Sequence, residues 1–133
     1  MAHKHDFLVI GSGIAGLMFS LKVADRGSVA LVTKRGLTDS NTAYAQGGIA
    51  AVFDSADTFD SHIADTLASG DGLCNESVVD LVVRSAPERI RELMEMGVDF
   101  NRGPDGGPSL DLCREGGHSY NRIVHANDMT GRA

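Results

Sequence analysis

Short apolar runs and glycine-rich turns alternate along the first part of the chain. Phe7–Ile10 and Val29–Val32 are both apolar runs typical of buried parallel strands. Between them apolar residues recur at helical spacing, and Gly27 is placed to end the helix. The pattern predicts a βαβ unit over residues 7–34 with a right-handed crossover, and therefore an α/β fold with a parallel sheet.

The pattern of apolar positions is weaker in two regions, residues 36–48 and residues 98–133. Residues 36–48 are polar and small, and a loop of this length in a compact domain is usually functional or disordered. Short apolar runs predict strands at 49–53, 98–100 and 123–126. Residues 98–133 therefore form a predicted region of loops and short strands, with a Gly/Pro-rich turn at 103–108.

Residues 57–97 carry the helical periodicity of a predicted helical insert. The first helix is expected from near Asp57 to Gly70, and the second opens at Asn75, which suits an N-cap. The capping-box spacing of Ser85-Ala86-Pro87-Glu88 predicts a third helix, which ends at Gly97.

Composition argues against several classes of function. The 133 residues suffice for one modest domain, and a net charge of −6 without a basic stripe argues against a nucleic-acid partner. The apolar stretch Phe7–Leu21 is interrupted by three glycines, so it predicts neither a signal peptide nor a membrane span. Cys74 and Cys113 lack metal-ligand and C-x-x-C spacing, so we expect no metal site, reduced thiols and a cytoplasmic location.

The strongest chemical signal is the hexad Gly11-Ser12-Gly13-Ile14-Ala15-Gly16, which lies between the first strand and the helix. Gly11 permits a tight turn, Gly13 lets the backbone approach a pyrophosphate, and Gly16 lets helix and strand pack closely. The helix N-terminus favours an anion through its unpaired N–H groups and its dipole. Strand, turn and helix in this order predict a dinucleotide site rather than an ordinary glycine turn.

One expected residue of a dinucleotide site is absent. An Asp or Glu normally closes the second strand and binds a ribose hydroxyl, but this chain has Thr33-Lys34. A lysine at this place leaves NADP open as the cofactor.

Four stretches, taken together and in this order, resemble the N-terminal part of the L-aspartate oxidases, within the succinate dehydrogenase and fumarate reductase flavoprotein family. The resemblance spans the whole chain. The stretches are Gly11 to Gly16; Thr33-Lys34 followed by Ala45-Gln46-Gly47-Gly48; Arg114-Glu115-Gly116-Gly117-His118-Ser119; and His125-Ala126-Asn127-Asp128-Met129-Thr130-Gly131.

The resemblance implies a Rossmann-like FAD-binding fold, with FAD rather than NADP as the cofactor. It assigns the diphosphate and adenosine part to Ser12–Ala15 and to Lys34, which occupies the place of a family serine- or threonine-lysine pair. It assigns the flavin end to Asn41, Thr42, Ala43, Tyr44, Ala45, Gln46, Gly47 and Gly48. The succinate dehydrogenase branch has a covalently flavinylated histidine where this chain has Asn41, so the resemblance implies non-covalent FAD.

Glu115 is the residue that the resemblance assigns to the substrate. Aspartate differs from succinate by an α-ammonium group, which a nearby carboxylate recognises through a charge-assisted hydrogen bond. The resemblance places His118 and His125 near the flavin or in the structure of its pocket. From the residues alone, His62 is expected on the surface of its helix.

The resemblance implies oxidation of L-aspartate to iminoaspartate, with oxygen or fumarate as the electron acceptor, on the route through quinolinate to NAD. Quinolinate synthase is then an expected partner. Family members are longer, so the fold is expected to be incomplete in this chain: the capping and C-terminal domains and the catalytic base lie downstream, and the 133-residue chain alone is expected to be inactive. A succinate dehydrogenase or fumarate reductase flavoprotein subunit, or a non-catalytic nucleotide-binding module, remain the alternatives.

Overall fold

The computed structural model describes residues 2–104 and 107–133, which divide into two compact units. The N-terminal unit spans Met1–Gln46 and includes Arg132. The C-terminal unit spans Gly47–Gly131 and includes Ala133. The predicted turn at 103–108 includes Asp105 and Gly106, which lie outside the described residues.

The N-terminal unit contains the predicted βαβ elements. Strand β1 is Phe7–Ile10, helix α1 is Ile14–Val23, and strand β2 is Val29–Val32. The two strands pair in parallel, from Phe7 opposite Val29 to Ile10 opposite Val32. The parallel sheet predicted from the two apolar runs is confirmed.

Gly27 does not end the helix, contrary to prediction. Helix α1 ends at Val23, and the backbone N–H of Arg26 donates to the Val23 carbonyl at 2.9 Å in the turn that follows. A β-carbon on Gly27 would lie 2.8 Å from an Asp6 carboxylate oxygen. Gly27 therefore lets Asp6 approach the backbone, where Asp6 accepts from the Ser28 N–H and hydroxyl, both at 2.8 Å.

Only one face of the parallel sheet is covered. Val9 is buried, whereas Leu8 is 65% exposed and Ile10 is 83% exposed. Parallel sheets are normally covered on both faces by helices. Among the described residues the sheet has two strands, which fits the prediction that the flavoprotein fold is incomplete in this chain.

The C-terminal unit has a three-stranded antiparallel sheet in the order β3, β5, β4. Strand β3 is Ile49–Ala50, β4 is Leu112–Cys113 and β5 is Ile123–Val124. The strands predicted at 49–53 and 123–126 are thus shorter than expected, and residues 98–100 form no strand. In place of a strand there, the chain forms irregular backbone hydrogen bonds, such as the one from the Asn101 N–H to the His125 carbonyl at 2.8 Å.

Two helices, not three, occupy the predicted helical insert. Helix α2 is Phe59–Ser69, capped by the Thr58 hydroxyl, and helix α3 is Glu76–Glu95, capped by the Asn75 side chain. The predicted break at Ser85 is wrong, because α3 runs through Pro87.

Burial explains why α3 tolerates its proline. Val83, Pro87 and Ile90 are the buried residues of α3, and their spacing places them on one face. Ile90 belongs to the core cluster, which also contains Ala51, Phe100, Val124 and Ala126. Tertiary packing therefore outweighs the local signal of the capping-box spacing. The predicted end of the helix is confirmed, since Met96 caps it and Gly97 follows with φ +106°.

Candidate functional site

The glycine turn between β1 and α1 has the geometry of a phosphate cradle. Gly11 has φ +107°, a conformation that favours glycine, and its N–H donates to the Val32 carbonyl at 2.8 Å. A β-carbon on Gly16 would lie 2.1 Å from the Gly11 carbonyl oxygen, so any larger residue would push the helix away from the turn. Both glycines are therefore required by the backbone itself.

The N-terminus of α1 opens onto this turn. Gly13 is the N-cap and has no side chain to cap the helix, and Ser12 beside it is buried. The Ile14 N–H donates to the Thr42 hydroxyl at 3.1 Å, so the following loop reaches back to the turn. A helix N-terminus with a glycine cap binds an anion readily, which is the property that a diphosphate needs.

Lys34 lies on the same edge of the sheet as the glycine turn. It follows the carboxyl end of β2, and Ile10 and Val32, the last residues of the two strands, are paired. Lys34 is exposed. In open parallel sheets ligands bind outside the carboxyl ends of the strands, and Lys34 places a cation there.

The loop between β2 and β3 contains a single turn of 3₁₀ helix, Thr42–Tyr44. Asn41 precedes this turn and is exposed, as are Ala45 and Gln46 after it. The Tyr44 hydroxyl donates to Asp39 at 3.1 Å. Within the N-terminal unit, the loop is thus ordered by local bonds and leaves Asn41 accessible.

Gly47 and Gly48 belong to the C-terminal unit. A β-carbon on Gly48 would lie 2.2 Å from the Val124 carbonyl oxygen, so this glycine allows β3 to begin against β5. A β-carbon on Gly47 would lie 3.6 Å from Glu115 Oε1. The structure therefore brings together Gly47 and Glu115, which the family resemblance assigned to the flavin and to the substrate.

Glu115 is exposed and available to a ligand. Across residues 2–104 and 107–133, its carboxylate has no hydrogen-bond or ion-pair partner. Its backbone carbonyl accepts from the His118 N–H at 3.3 Å, which closes the turn that follows Glu115.

Arg122 is a central residue that the sequence analysis missed. Its side chain is fully buried, with Nε 2.8 Å from Asp57 Oδ2 and Nη2 2.8 Å from Asp57 Oδ1. Its Nη1 donates to Asp65 Oδ2 at 2.8 Å. The available signal was an arginine directly before the apolar run Ile123–Ala126, where a charge has to be paired.

Asp57 and Asp65 lie before and within α2, and neither was assigned a site role from the sequence. Asp57 lies before the helix and is fully buried, whereas Asp65 lies inside it and is 16% exposed. The Ser119 backbone N–H donates to Asp65 and is the main cause that lowers the pKa of this carboxyl; the Ser119 hydroxyl and Arg122 lower it further. Both aspartates therefore bond to one guanidinium.

The histidines have different surroundings. His62 is buried, contrary to the surface position expected, and its Nδ1 has no partner among the described residues. Burial, and then the charges of Arg122 and His118, lower the pKa of His62. His118 Nδ1 lies 3.4 Å from Arg122 Nη1, and His125 Nε2 lies 3.4 Å from Asp111.

Comparison with known proteins identifies the cofactor of the family. A profile described as an FAD-binding domain matches residues 6–133. The chain belongs to this family. FAD is therefore the cofactor, and the NADP alternative that Lys34 left open is excluded. The positive φ of Gly11, the glycine N-cap of α1 and the close approach of the backbone at Gly16 suit the diphosphate of this cofactor.

The family also has relatives of known name. The chain is 57% identical to L-aspartate oxidase 2-a, chloroplastic, of Nicotiana tabacum over 127 residues, which are 96% of this chain and 19% of the relative. It is 47% identical to L-aspartate oxidase of Vibrio cholerae over 134 residues, or 98% of this chain and 25% of the relative. The chain thus spans about a fifth to a quarter of these relatives.

Solved structures confirm the flavoprotein fold. A quinol fumarate reductase chain of E. coli matches with a TM-score of 0.90 and 36% identity, over 98% of this chain and 22% of that one. The Sdh1 complex of Mycobacterium smegmatis matches with a TM-score of 0.88 and 36% identity, over the same shares. The resemblance to the succinate dehydrogenase and fumarate reductase flavoprotein family is confirmed.

The described residues contain no group of three or more His, Cys, Asp or Glu placed to bind a metal ion. None of their helices is long and apolar enough to cross a membrane.

Proposed function

We propose that the full-length protein is an FAD-dependent oxidoreductase that oxidises L-aspartate to iminoaspartate, with oxygen or fumarate as the electron acceptor. Support comes from the curated relatives, which are named L-aspartate oxidases and are 43–57% identical over nearly the whole of this chain. Bound FAD supplies the chemistry by accepting two electrons and a proton as a hydride. The residues of this chain bind the FAD and orient the substrate.

The residues that bind the cofactor are proposed from the sequence and from the geometry of each unit. Gly11–Gly16 form the cradle for the diphosphate, and Lys34 contributes a positive charge at the same edge of the sheet. Asn41–Gln46 in the N-terminal unit, and Gly47 and Gly48 in the C-terminal unit, are proposed for the flavin end. Asn41 lacks the nucleophilic ring nitrogen of a histidine, which supports non-covalent binding.

Glu115 is proposed to orient the substrate through its α-ammonium group. The observation that carries this proposal is the exposed Glu115 carboxylate, which lies next to Gly47 and has no partner among the residues that the structure describes. A carboxylate beside Gly47 forms a charge-assisted hydrogen bond with the ammonium group of a substrate but repels a substrate carboxylate. It therefore favours aspartate over succinate.

A succinate or fumarate enzyme is the second candidate, because the fumarate reductase chain matches over 98% of this chain. Asn41 and Glu115 both oppose it, the first because covalent flavin needs a histidine and the second because succinate carries no ammonium. Quinolinate synthase as a partner, a place in NAD synthesis and a cytoplasmic location are further proposals. The tobacco relative is named as chloroplastic, so a plastid is the alternative location to compare.

The test compares two reactions in one variant of the full-length protein. Glu115→Gln should lower turnover of L-aspartate by about tenfold or more, because a desolvated charge-assisted hydrogen bond contributes about 1.5–3 kcal/mol. Fumarate reduction from a reduced viologen should change little, since fumarate has no ammonium. Glu95→Gln, an exposed glutamate at the end of α3, is the matched control and should leave both reactions unchanged. Equal loss of both reactions in Glu115→Gln would contradict the role.

A further inference from the structure

Asp65 accepts three hydrogen bonds from the segment that follows Glu115. Its Oδ2 accepts from the Ser119 backbone N–H at 2.7 Å and from Arg122 Nη1 at 2.8 Å, and its Oδ1 accepts from the Ser119 hydroxyl at 2.8 Å. The carboxylate lies on α2, a rigid helix. One side chain thus ties two residues of an irregular segment to a fixed element.

Arg122 fixes the orientation of this carboxylate. The guanidinium is fully buried and forms a bidentate pair with Asp57, so its Nη1 points in one direction. Bidentate arginine–carboxylate pairs give directional specificity in addition to charge attraction. Asp65 is consequently oriented from one side by Arg122 and from the other by Ser119.

The turn between Glu115 and Ser119 has little freedom of its own. The His118 N–H donates to the Glu115 carbonyl, and Gly117 has φ +83°. A β-carbon on Gly117 would lie 2.8 Å from the Ser69 hydroxyl, so the turn lies directly against the last residue of α2. Its one end is anchored at Asp65, and its other end presents the Glu115 carboxylate beside Gly47.

We propose that Asp65 is a positioning residue, which anchors the turn 115–119 to α2 and thereby holds the Glu115 carboxylate where it meets the substrate ammonium. The inference rests on the proposed function for the role of Glu115. Asp65 itself bonds to Ser119 and Arg122 and acts through the position of the turn. Its effect is on the specificity for an amino acid over an unsubstituted dicarboxylate.

The experiment uses the full-length protein with bound FAD and compares Asp65→Asn with Asp80→Asn. The asparagine keeps the size of the side chain but removes its negative charge and replaces one acceptor oxygen by a donor, so it weakens the charge-assisted bond from Arg122 and cannot accept all three bonds that the carboxylate accepts. Asp80 is half-exposed on α3 and pairs with Arg84, so its variant is the matched control. KM and kcat for L-aspartate, fumarate reduction, FAD affinity and amide hydrogen exchange of residues 115–119 are measured.

Asp65→Asn should raise KM for L-aspartate roughly tenfold or more, since small displacements of an orienting group are costly. Fumarate reduction and FAD affinity should stay within about twofold, because neither needs the Glu115 carboxylate in place. Amide exchange at Ser119 should accelerate, and Asp80→Asn should change none of these values. An equal loss of aspartate oxidation and fumarate reduction, or unchanged exchange at Ser119, would overturn the proposal.

Ser119→Ala provides a second variant that removes a single bond. It keeps the backbone N–H bond to Asp65 and loses the hydroxyl bond, so a smaller rise in KM is expected. If Asp65→Asn does not fold, Ser119→Ala decides: a selective rise in KM supports the anchor, and an unchanged KM opposes it. A wild-type protein that reduces fumarate but does not oxidise L-aspartate would refute the proposed function, while the exchange at Ser119 still reports whether Asp65 holds the turn.

Discussion

Arg122 and Asp57 form a bidentate ion pair in which both side chains are 0% exposed. The pair links the residue before β5 to the segment before α2, 65 positions apart in the sequence. A buried charge is tolerated only when it is paired and hydrogen-bonded, and here the guanidinium has Asp57 on one edge and Asp65 on the other. The pair therefore organises the C-terminal unit.

Removing one partner of this pair should be strongly destabilising. Asp57→Ala leaves Arg122 buried beside Asp65 alone, and broken buried pairs typically cost about 3–5 kcal/mol of the free energy of unfolding. Denaturant unfolding measures the loss. Arg84→Ala, which breaks exposed pairs with Asp60 and Asp80 and removes a guanidinium from over the Phe59 ring, is the control and should change stability little. Similar losses in both variants would argue against a special role for the buried pair.

His62 should make the stability depend on pH. Burial, Arg122 and His118 lower its pKa below the ordinary 6.5, against the opposing effect of Asp57 and Asp65. The folded protein then binds fewer protons than the unfolded chain, so stability is complete above pH 6.5 and falls as the pH drops below it. For one proton the slope is at most about 1.4 kcal/mol per pH unit. Thermal unfolding of wild type and His62→Gln from pH 7.5 to 5 measures it.

His62→Gln should lose part of this pH dependence, and His5→Gln, near the exposed N-terminus, should retain all of it. The loss of stability below pH 6.5 should begin well above the range in which Asp6 and Asp65 titrate. Their pKa values are lowered from 3.8, so their contributions are lost only in more acidic solution. Identical pH profiles of wild type and His62→Gln would contradict the assignment to His62.

Gly16→Ala should weaken FAD binding by displacing the glycine turn. Its β-carbon would come within 2.1 Å of the Gly11 carbonyl oxygen and 3.3 Å of a Val9 methyl, so helix and strand have to separate. Such overpacking typically costs about 1–3 kcal/mol of free energy. Because the turn has to keep its shape when FAD is bound, a cost of this size corresponds to a roughly tenfold loss of FAD affinity. Flavin fluorescence titration of the apoprotein gives the Kd. Gly36→Ala, which has open space around it, is the matched control, and equal affinity in both variants would speak against the cradle.

FAD should be released from the full-length protein by acid. Asn41 stands where the covalent branch of the family has a histidine, and an asparagine amide forms no such bond to flavin. After precipitation with acid, the absorbance and fluorescence of flavin should appear in the supernatant. A covalent flavoprotein treated in parallel serves as the control. Flavin that stays with the precipitated chain would exclude non-covalent binding.

The βαβ unit was predictable from sequence because its signals are local. Two apolar runs fix β1 and β2, and the positive φ of Gly11 follows from a turn that only a small residue tolerates. The break at Ser85 failed because burial of Pro87 in the stripe of α3 is a tertiary effect. Local capping signals carry no information about it.

The hydrogen bonds that tie the turn 115–119 to α2 could not be predicted from sequence for a related reason. Arg122 and Asp65 lie 57 positions apart, and their contact depends on how α2 packs against the segment before β5. Glu115 was found through resemblance to a family, and its place beside Gly47 emerged only from the structure. Pairings between distant charged residues need the fold, because charge patterns in sequence do not specify partners.

The most direct test is anaerobic mixing of the full-length, FAD-loaded protein with L-aspartate, followed by the absorbance of oxidised flavin near its visible maximum. We expect bleaching with L-aspartate, formation of ammonium and oxaloacetate after hydrolysis of the imine, and little bleaching with succinate at the same concentration. Bleaching by succinate with none by L-aspartate would identify a succinate enzyme. Bleaching by neither would contradict the proposed oxidation altogether.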